Sequence, residues 1–136
     1  AWACDTSVAV AALDPLHTNH RNSRASVRKL RPALAGHAAF ESFSVLTRMP
    51  LPRRLKPEQA VRVLHEAFPE RCWLDADATA ALFERIAELG TAGGAVYDAL
   101  VAEAARVNNR VLLTVDRRAI NTYRAVGVEF LLVAAQ

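Results

Sequence analysis

Apolar positions along the chain follow two alternating rhythms. Short apolar runs recur at Trp2-Ala3-Cys4, Cys72-Trp73-Leu74, Val111-Leu112-Leu113-Thr114-Val115 and Val128-Glu129-Phe130-Leu131-Leu132. Runs of this length bounded by turn residues read as strands, and an unbroken one such as 111–115 suits a parallel sheet covered on both faces. Between them apolar residues return every three or four positions, the spacing of helices with one buried face.

Read in order, a strand over Trp2-Ala3-Cys4-Asp5 ends in an acid. Thr6 or Ser7 caps a helix through Val8 to Leu13, and Asp14-Pro15 stops it. His20 to Leu30 is a polar helix with a thin apolar stripe at Ala25, Val27 and Leu30, and Pro32-Ala33-Leu34-Ala35 reads as a short second strand. A helix from Ala38 to Arg48 carries Phe40, Phe43, Leu46 and Thr47, with Glu41 near its start, until Pro50 and Pro52 break it. Pro57, at a first helical position, opens the next helix, with Val61, Leu64 and Phe68 on its buried face. A third strand covers Arg71 to Leu74. Asp75 or Asp77 then caps a helix with Leu82, Ile86 and Leu89, closed by Gly90. After Gly93-Gly94 a helix runs from Ala95 to Val107 with Asp98 in its first turn. The strand 111–115, a helix from Arg117 to Ala125, a stop at Gly127 and the strand 128–132 follow. Strands alternating with helices predict a three-layer α/β/α sandwich around a central parallel sheet of four to five strands. Without a linker or repeat, residues 1–136 form one domain.

Composition agrees with that picture and adds a charge asymmetry. Of 136 residues 52% are hydrophobic, enough for a packed core, and Gly and Pro number only 5 and 6. The longest apolar stretches fall far below the roughly 20 residues of a membrane span, and no charged-then-apolar leader opens the sequence, so the expected compartment is the cytoplasm. Cys4 and Cys72 sit in apolar runs outside any metal spacing and read as buried thiols. The net charge is +3. Residues 1–56 carry nine Lys/Arg against Asp5, Asp14 and Glu41, whereas residues 57–136 carry eight basic and eleven acidic residues. A basic half suits a polyanionic partner, and for the helix around residues 20–31 a solvated surface is an equal alternative.

Candidate chemistry lies with four acids. In an open parallel α/β sheet ligands bind beyond the carboxyl ends of the strands. Asp5 and Asp116 follow strands directly, and Asp98 and Glu41 fall in the opening turns of helices that follow strand and loop. Four ionised carboxylates in one pocket repel one another unless a cation neutralises them. All-oxygen ligands without His or Cys select Mg²⁺ or Mn²⁺ over zinc. Such ions activate water and stabilise in-line attack on phosphorus, so phosphodiesters are cut without a Ser, Cys or His nucleophile. Each acid taken singly has a structural alternative: Asp5 as a helix cap, Asp98 and Glu41 as partners of a helix dipole, Asp116 in a turn paired to Arg117.

Other residues divide between site and scaffold. Arg117 and Arg118 follow the last acid and either grip a phosphate or pair with a carboxylate. Arg48, on the face of Glu41, holds that acid or a phosphate, or simply caps a helix end. Arg53, Arg54 and Lys56 lie in a Pro-bounded loop suited to RNA contact. His17 and His20 lack a third metal ligand, and His37 and His65 carry no signal. Trp2 and Trp73 read as core and not as base-stacking platforms; Tyr97, beside Asp98, either stacks on a base or packs against the neighbouring helix, and core is the favoured reading. Phe40, Phe43, Leu46, Val61, Leu64 and Phe68 offer more apolar surface than two short helices bury, which suits a dimer face or a groove for a partner helix as well as a core.

Cys4-Asp5-Thr6-Ser7-Val8 resembles the opening strand and acid of PIN-domain ribonucleases. Phe40 to Arg48 is similar to their second motif, Gly94 to Ala102 to the third, and Leu112 to Arg118 to the fourth. The four stand in the family's order and span residues 4 to 118. The nearest likeness is to VapC-type toxins of bacterial toxin–antitoxin pairs. That resemblance implies a homodimeric, Mg²⁺- or Mn²⁺-dependent endoribonuclease, restrained by a cognate VapB-type antitoxin and leaving 3′-hydroxyl and 5′-phosphate ends. It implies Asp5, Glu41, Asp98 and Asp116 as metal ligands, Asp5 and Asp98 being indispensable, with Thr6 and Thr114 orienting them through their hydroxyls. The number of metals stays open between one and two.

Rival functions are a metal nuclease acting on DNA flaps, for which 136 residues leave little room, and a PIN-like module that binds RNA or protein without cutting. A signalling receiver domain needs a Lys after its last strand, and the two lysines here, Lys29 and Lys56, lie in the wrong half.

Overall fold

The computed structural model describes residues 1–134. Five parallel strands, β1 (Trp2–Cys4), β2 (Ala33–Ala35), β3 (Arg71–Cys72), β4 (Val111–Thr114) and β5 (Phe130–Leu132), form one sheet in the order β3-β2-β1-β4-β5. Seven helices connect them among the described residues: α1 (Thr6–Leu13), α2 (His20–Leu30), α3 (His37–Thr47), α4 (Pro57–Ala67), α5 (Ala76–Arg85), α6 (Ala95–Val107) and α7 (Ile120–Val126). The predicted sandwich and strand count are what the chain forms, and every predicted helix and strand has its counterpart.

The strand order decides the layers. From β1 the chain steps outward to β2 and then β3, and it returns across β1 to reach β4 and β5. Right-handed crossovers place α1–α4 on one face and α5–α7 on the other, in keeping with the α1–α3, α3–α4, α5–α6 and α6–α7 contacts. The direction of winding reverses between β1 and β4, and a crevice opens there beyond the strands' carboxyl ends.

The core is filled by Leu34, Leu112 and Leu113 from the sheet, each buried at about 1.5–3 kcal/mol. Alanines at 3, 9, 33, 35, 99, 102 and 105, all buried, let the helices approach the strands closely. Both cysteines are free and buried, as expected. Glu103, also buried, accepts from Arg85 Nη2 (2.9 Å) and from Arg106 Nε (2.5 Å), which clamps α5 onto α6. No helix among the described residues is long and apolar enough to cross a membrane.

Several local expectations are corrected. The cap of α1 is Asp5, whose Oδ1 accepts from the Val8 N–H at 3.1 Å, while Thr6 and Ser7 lie inside the helix. Trp73 is 48% exposed and Tyr97 47%, so neither is core: β3 ends at Cys72, and Tyr97 faces outward from the first turn of α6. Val61 is likewise exposed on α4, because α3 and β2 cover only the Ala60–Leu64 side. Leu46, Leu64 and Phe68 are core, whereas Phe40, Phe43 and Val61 line an apolar groove with Trp73, Leu64 at its base.

Candidate functional site

Four elements deliver one acid each to the crevice between β1 and β4. Asp5 follows β1, Asp116 follows β4, Glu41 comes from α3 and Asp98 from the first turn of α6. The four line a cavity of 240 Å³ together with Thr6, Ser7, Val101 and Tyr123.

Asp5 is 4% exposed, and each of its oxygens accepts from at least one donor. Ser7 Oγ donates to Oδ1 at 2.6 Å beside the Val8 N–H, and the Tyr123 hydroxyl donates to Oδ2 at 2.6 Å. Burial pushes the Asp5 carboxyl above its usual range, and the bonds from Ser7, Tyr123 and Val8 pull it back. Burial and the neighbouring Asp5 raise the Tyr123 phenol, so that it stays a donor.

Proton counting orders the hydroxyls. Ser7 spends its one proton on Asp5 and accepts from the Val115 N–H at 3.0 Å, so Thr114 Oγ1, 3.3 Å away, donates to Ser7. Thr114 in turn accepts from the Asp116 N–H at 3.0 Å. A single chain of bonds thus runs from the backbone of Asp116 through Thr114 and Ser7 to Asp5. On the other side Thr6 Oγ1 donates to Glu41 Oε1 at 3.0 Å.

Asp98 carries the electrostatic strain of the pocket. Its pKa is pushed up to about 6, first by burial and then by Asp116, Glu41 and Asp5, with Arg118 opposing. Among the described residues no three His, Cys, Asp or Glu side chains stand closely enough to ligate an ion as they are. The donor chemistry nonetheless fits a hard divalent cation: four carboxylates, no competing His or Cys, and excess negative charge that holds Asp98 partly protonated.

Among the described residues no basic side chain lines the cavity, and Arg118, with Arg117 before it in sequence, reaches its rim through Asp116. Arg118 is 96% exposed, its Nε 3.7 Å from Asp116 Oδ1. Arg48 caps the far end of α3, about 10 Å along the axis from Glu41. Arg53 pairs with Asp14 at 3.4 Å, and Arg54 Nε donates to the Met49 carbonyl at 2.8 Å. These three stand away from the acids because α3 starts at the carboxyl edge of β2 and runs to the opposite edge.

Two residues that hold the site have no motif of their own. Ser7 is a helix-start serine in sequence terms, and Tyr123 lies 118 positions from the acid it contacts. The alternation Asp5-x-Ser7 is the one local signal available for either.

The chain matches the PIN domain family over residues 3–125. It is 43% identical over 132 residues to "Ribonuclease VapC27" of Mycobacterium tuberculosis, covering 97% of this chain and 96% of that relative. It is 41% identical over 134 residues to "Ribonuclease VapC40" of the same organism, covering 96% of this chain and 98% of the relative.

Proposed function

Because the chain belongs to the PIN-domain family, in its VapC branch, we propose that it is an endoribonuclease toxin that cuts RNA at the pocket of Asp5, Glu41, Asp98 and Asp116. The observation that carries this reading is the convergence of four acids from four elements on one cavity at the reversal point of the sheet. The ribonuclease names of two near full-length relatives support the substrate class.

Asp5, Glu41, Asp98 and Asp116 would hold Mg²⁺ or Mn²⁺. Such a cation, when bound, offsets the carboxylate charge and lowers the barrier to attack by water on phosphorus. The protein's own part is orientation. Ser7 and Tyr123 fix both oxygens of Asp5, Thr6 fixes Glu41, and Thr114 ties the Asp116 backbone to Ser7, so Asp5 and Glu41 are oriented before substrate arrives. Arg118, exposed and held to Asp116 only at 3.7 Å, and its neighbour Arg117 would take a phosphate beside the scissile bond. Hydrolysis by this route leaves a 3′-hydroxyl and a 5′-phosphate. The protein acts as a homodimer in the cytoplasm, and a VapB-type antitoxin is the partner that restrains it.

The test is cleavage of a structured RNA pool and a matched DNA pool by purified protein with Mg²⁺, Mn²⁺ or EDTA. Metal-dependent cuts in RNA alone, absent from Asp5→Asn and Asp98→Asn, are expected. Cutting that persists in both variants would falsify the site, and DNA cleavage would move the substrate to the flap-nuclease alternative.

A further inference from the structure

Four rings outside the carboxylate pocket stand in one row with it. Tyr97 immediately precedes Asp98, and Phe40 immediately precedes Glu41. His37 stacks on Tyr97 with centroids 5.0 Å apart and planes 10° apart. Phe40 lies 6.5 Å from His37, and Trp73 lies 6.0 Å from Phe40 at an inclination of 58°.

Sheet topology explains the row. Trp73 follows β3, His37 opens the helix after β2, Asp5 follows β1 and Asp116 follows β4. Neighbouring parallel strands are spaced about 4.8 Å apart. Along the carboxyl edge, in the order β3-β2-β1-β4, the chain therefore presents two rings and then two acids. Phe40, 64% exposed, and the half-exposed Trp73 and Tyr97 leave large apolar faces in water beside a charged pocket. A cavity of 180 Å³ opens between His37, Phe40, Trp73 and Leu100. Gly36 forms its floor with φ +43°, and a Cβ there would stand 3.3 Å from both the Cys72 carbonyl and the Ala104 Cβ. Asn108 Nδ2 donates to the Trp73 carbonyl at 3.2 Å and fixes the backbone that carries the indole.

We propose that Tyr97, His37, Phe40 and Trp73 form a stacking platform on which unpaired bases of the RNA lie as the strand enters the carboxylate pocket. The proposal rests on the ribonuclease reading above and names the form of substrate that site takes. Charge selects nucleic acid over an apolar protein helix. Arg71 borders the groove beside Trp73, and Arg117 and Arg118 follow Asp116 at the other end. Rings between these guanidinium groups match a single strand, whose bases stack on side-chain rings while its phosphates meet Arg. Paired bases keep their faces in the duplex and gain nothing from the row, so the platform favours loops and single-stranded ends.

The experiment measures binding by fluorescence anisotropy of end-labelled strands in an Asp98→Asn background, which suppresses cutting. The probes are a short single-stranded RNA and an abasic ribose-phosphate strand of equal length. Saturable binding of the RNA is expected, with the abasic strand bound roughly 5- to 150-fold more weakly for each base seated. Phe40→Ala and Trp73→Leu each raise the Kd by a similar factor, and Trp73→Phe restores most of the loss. With Asp98 intact, both substitutions raise KM on a cleavable strand and leave kcat within a few-fold. Equal affinity for the abasic strand, or unchanged Kd in Phe40→Ala and Trp73→Leu, overturns the platform. So does a fall in oligomeric state in these variants with RNA affinity intact, which would make the face a contact between copies. If Trp73→Leu fails to fold, the exposed Phe40 decides. The binding comparison needs no cleavage, so a wild-type protein that cuts no RNA sinks the ribonuclease reading and leaves this measurement valid.

Discussion

Ser7 and Tyr123 divide Asp5 between them, and the value of each is measurable. Tyr123→Phe removes the donor to Oδ2 and leaves a buried carboxylate oxygen unpaired, at about 1–3 kcal/mol. Loss of a bond to the charged form also raises the Asp5 pKa, so the acid limb of the rate profile moves to higher pH. Urea melts and kcat/KM against pH check both effects. Asp98 shows the opposite case, a group that weakens the fold. Its carboxyl rises from 3.8 in the unfolded chain to about 6 in the folded one, through burial and three neighbouring acids. Between those values the folded protein retains a proton that the unfolded chain has released. Stability therefore falls as pH rises through this window, and stays lower above it. Asp98→Asn is expected to melt several degrees above wild type at pH 7.5 in EDTA, with the gap closing near pH 4. A lower melting temperature at pH 7.5 would show that Asp98 contributes structure rather than strain.

At the scale of elements, one carboxylate is shared between α5 and α6. Leu82 is the buried side chain of α5 and Phe83 is exposed; Arg85 bridges from α5 to Glu103 on α6, and Arg106 grips the same carboxylate from within α6. Arg85→Ala or Arg106→Ala alone leaves Glu103 one partner and its charge paired. The double variant leaves a buried charge unpaired and is expected to cost about 3–5 kcal/mol, well beyond the sum of the singles. A thermodynamic cycle from chemical denaturation gives the coupling directly, and additivity would show the clamp to be ornamental. Element identity was legible in sequence because periodicity and caps are local: Pro57 opens α4, and Gly90 and Gly127 close their helices in the left-handed region, at φ 69° and 92°. Strand ends were less legible. The sequence extends the third strand through Leu74, but pairing with β2 stops at Cys72, which frees Trp73 for the surface. Tyr97 was misplaced for the same reason, since adjacency to Asp98 fixes a helix turn and not the neighbour that does or does not cover it.

At the scale of the molecule, the acids work as one charge. A cation bound only by the folded state stabilises it by about 2.7 kcal/mol at a hundredfold excess over Kd. Mg²⁺ or Mn²⁺ is expected to raise the wild-type melting temperature, EDTA to reverse the rise, and Asp98→Asn to blunt it. A rise of equal size in Asp98→Asn would place the cation elsewhere. α2 holds Arg21, Arg24, Arg28 and Lys29 with no acid, a positive face outside the carboxylate pocket.

The sequence by itself determined the alternation of strands and helices, the parallel sheet, and which four acids end strands or begin helices, because all of these follow from local spacing and backbone preference. The tertiary structure decided what those residues meet. Strand order set the reversal between β1 and β4 and gathered four acids into one cavity. It brought Tyr123 to Asp5 across 118 positions and carried Arg48, Arg53 and Arg54 to the other end of α3. It also set Trp73 and His37 on the edge that Asp5 and Asp116 occupy. Such neighbours depend on how separate segments pack, and packing compares distant parts of the chain through burial and charge, which no window of sequence contains.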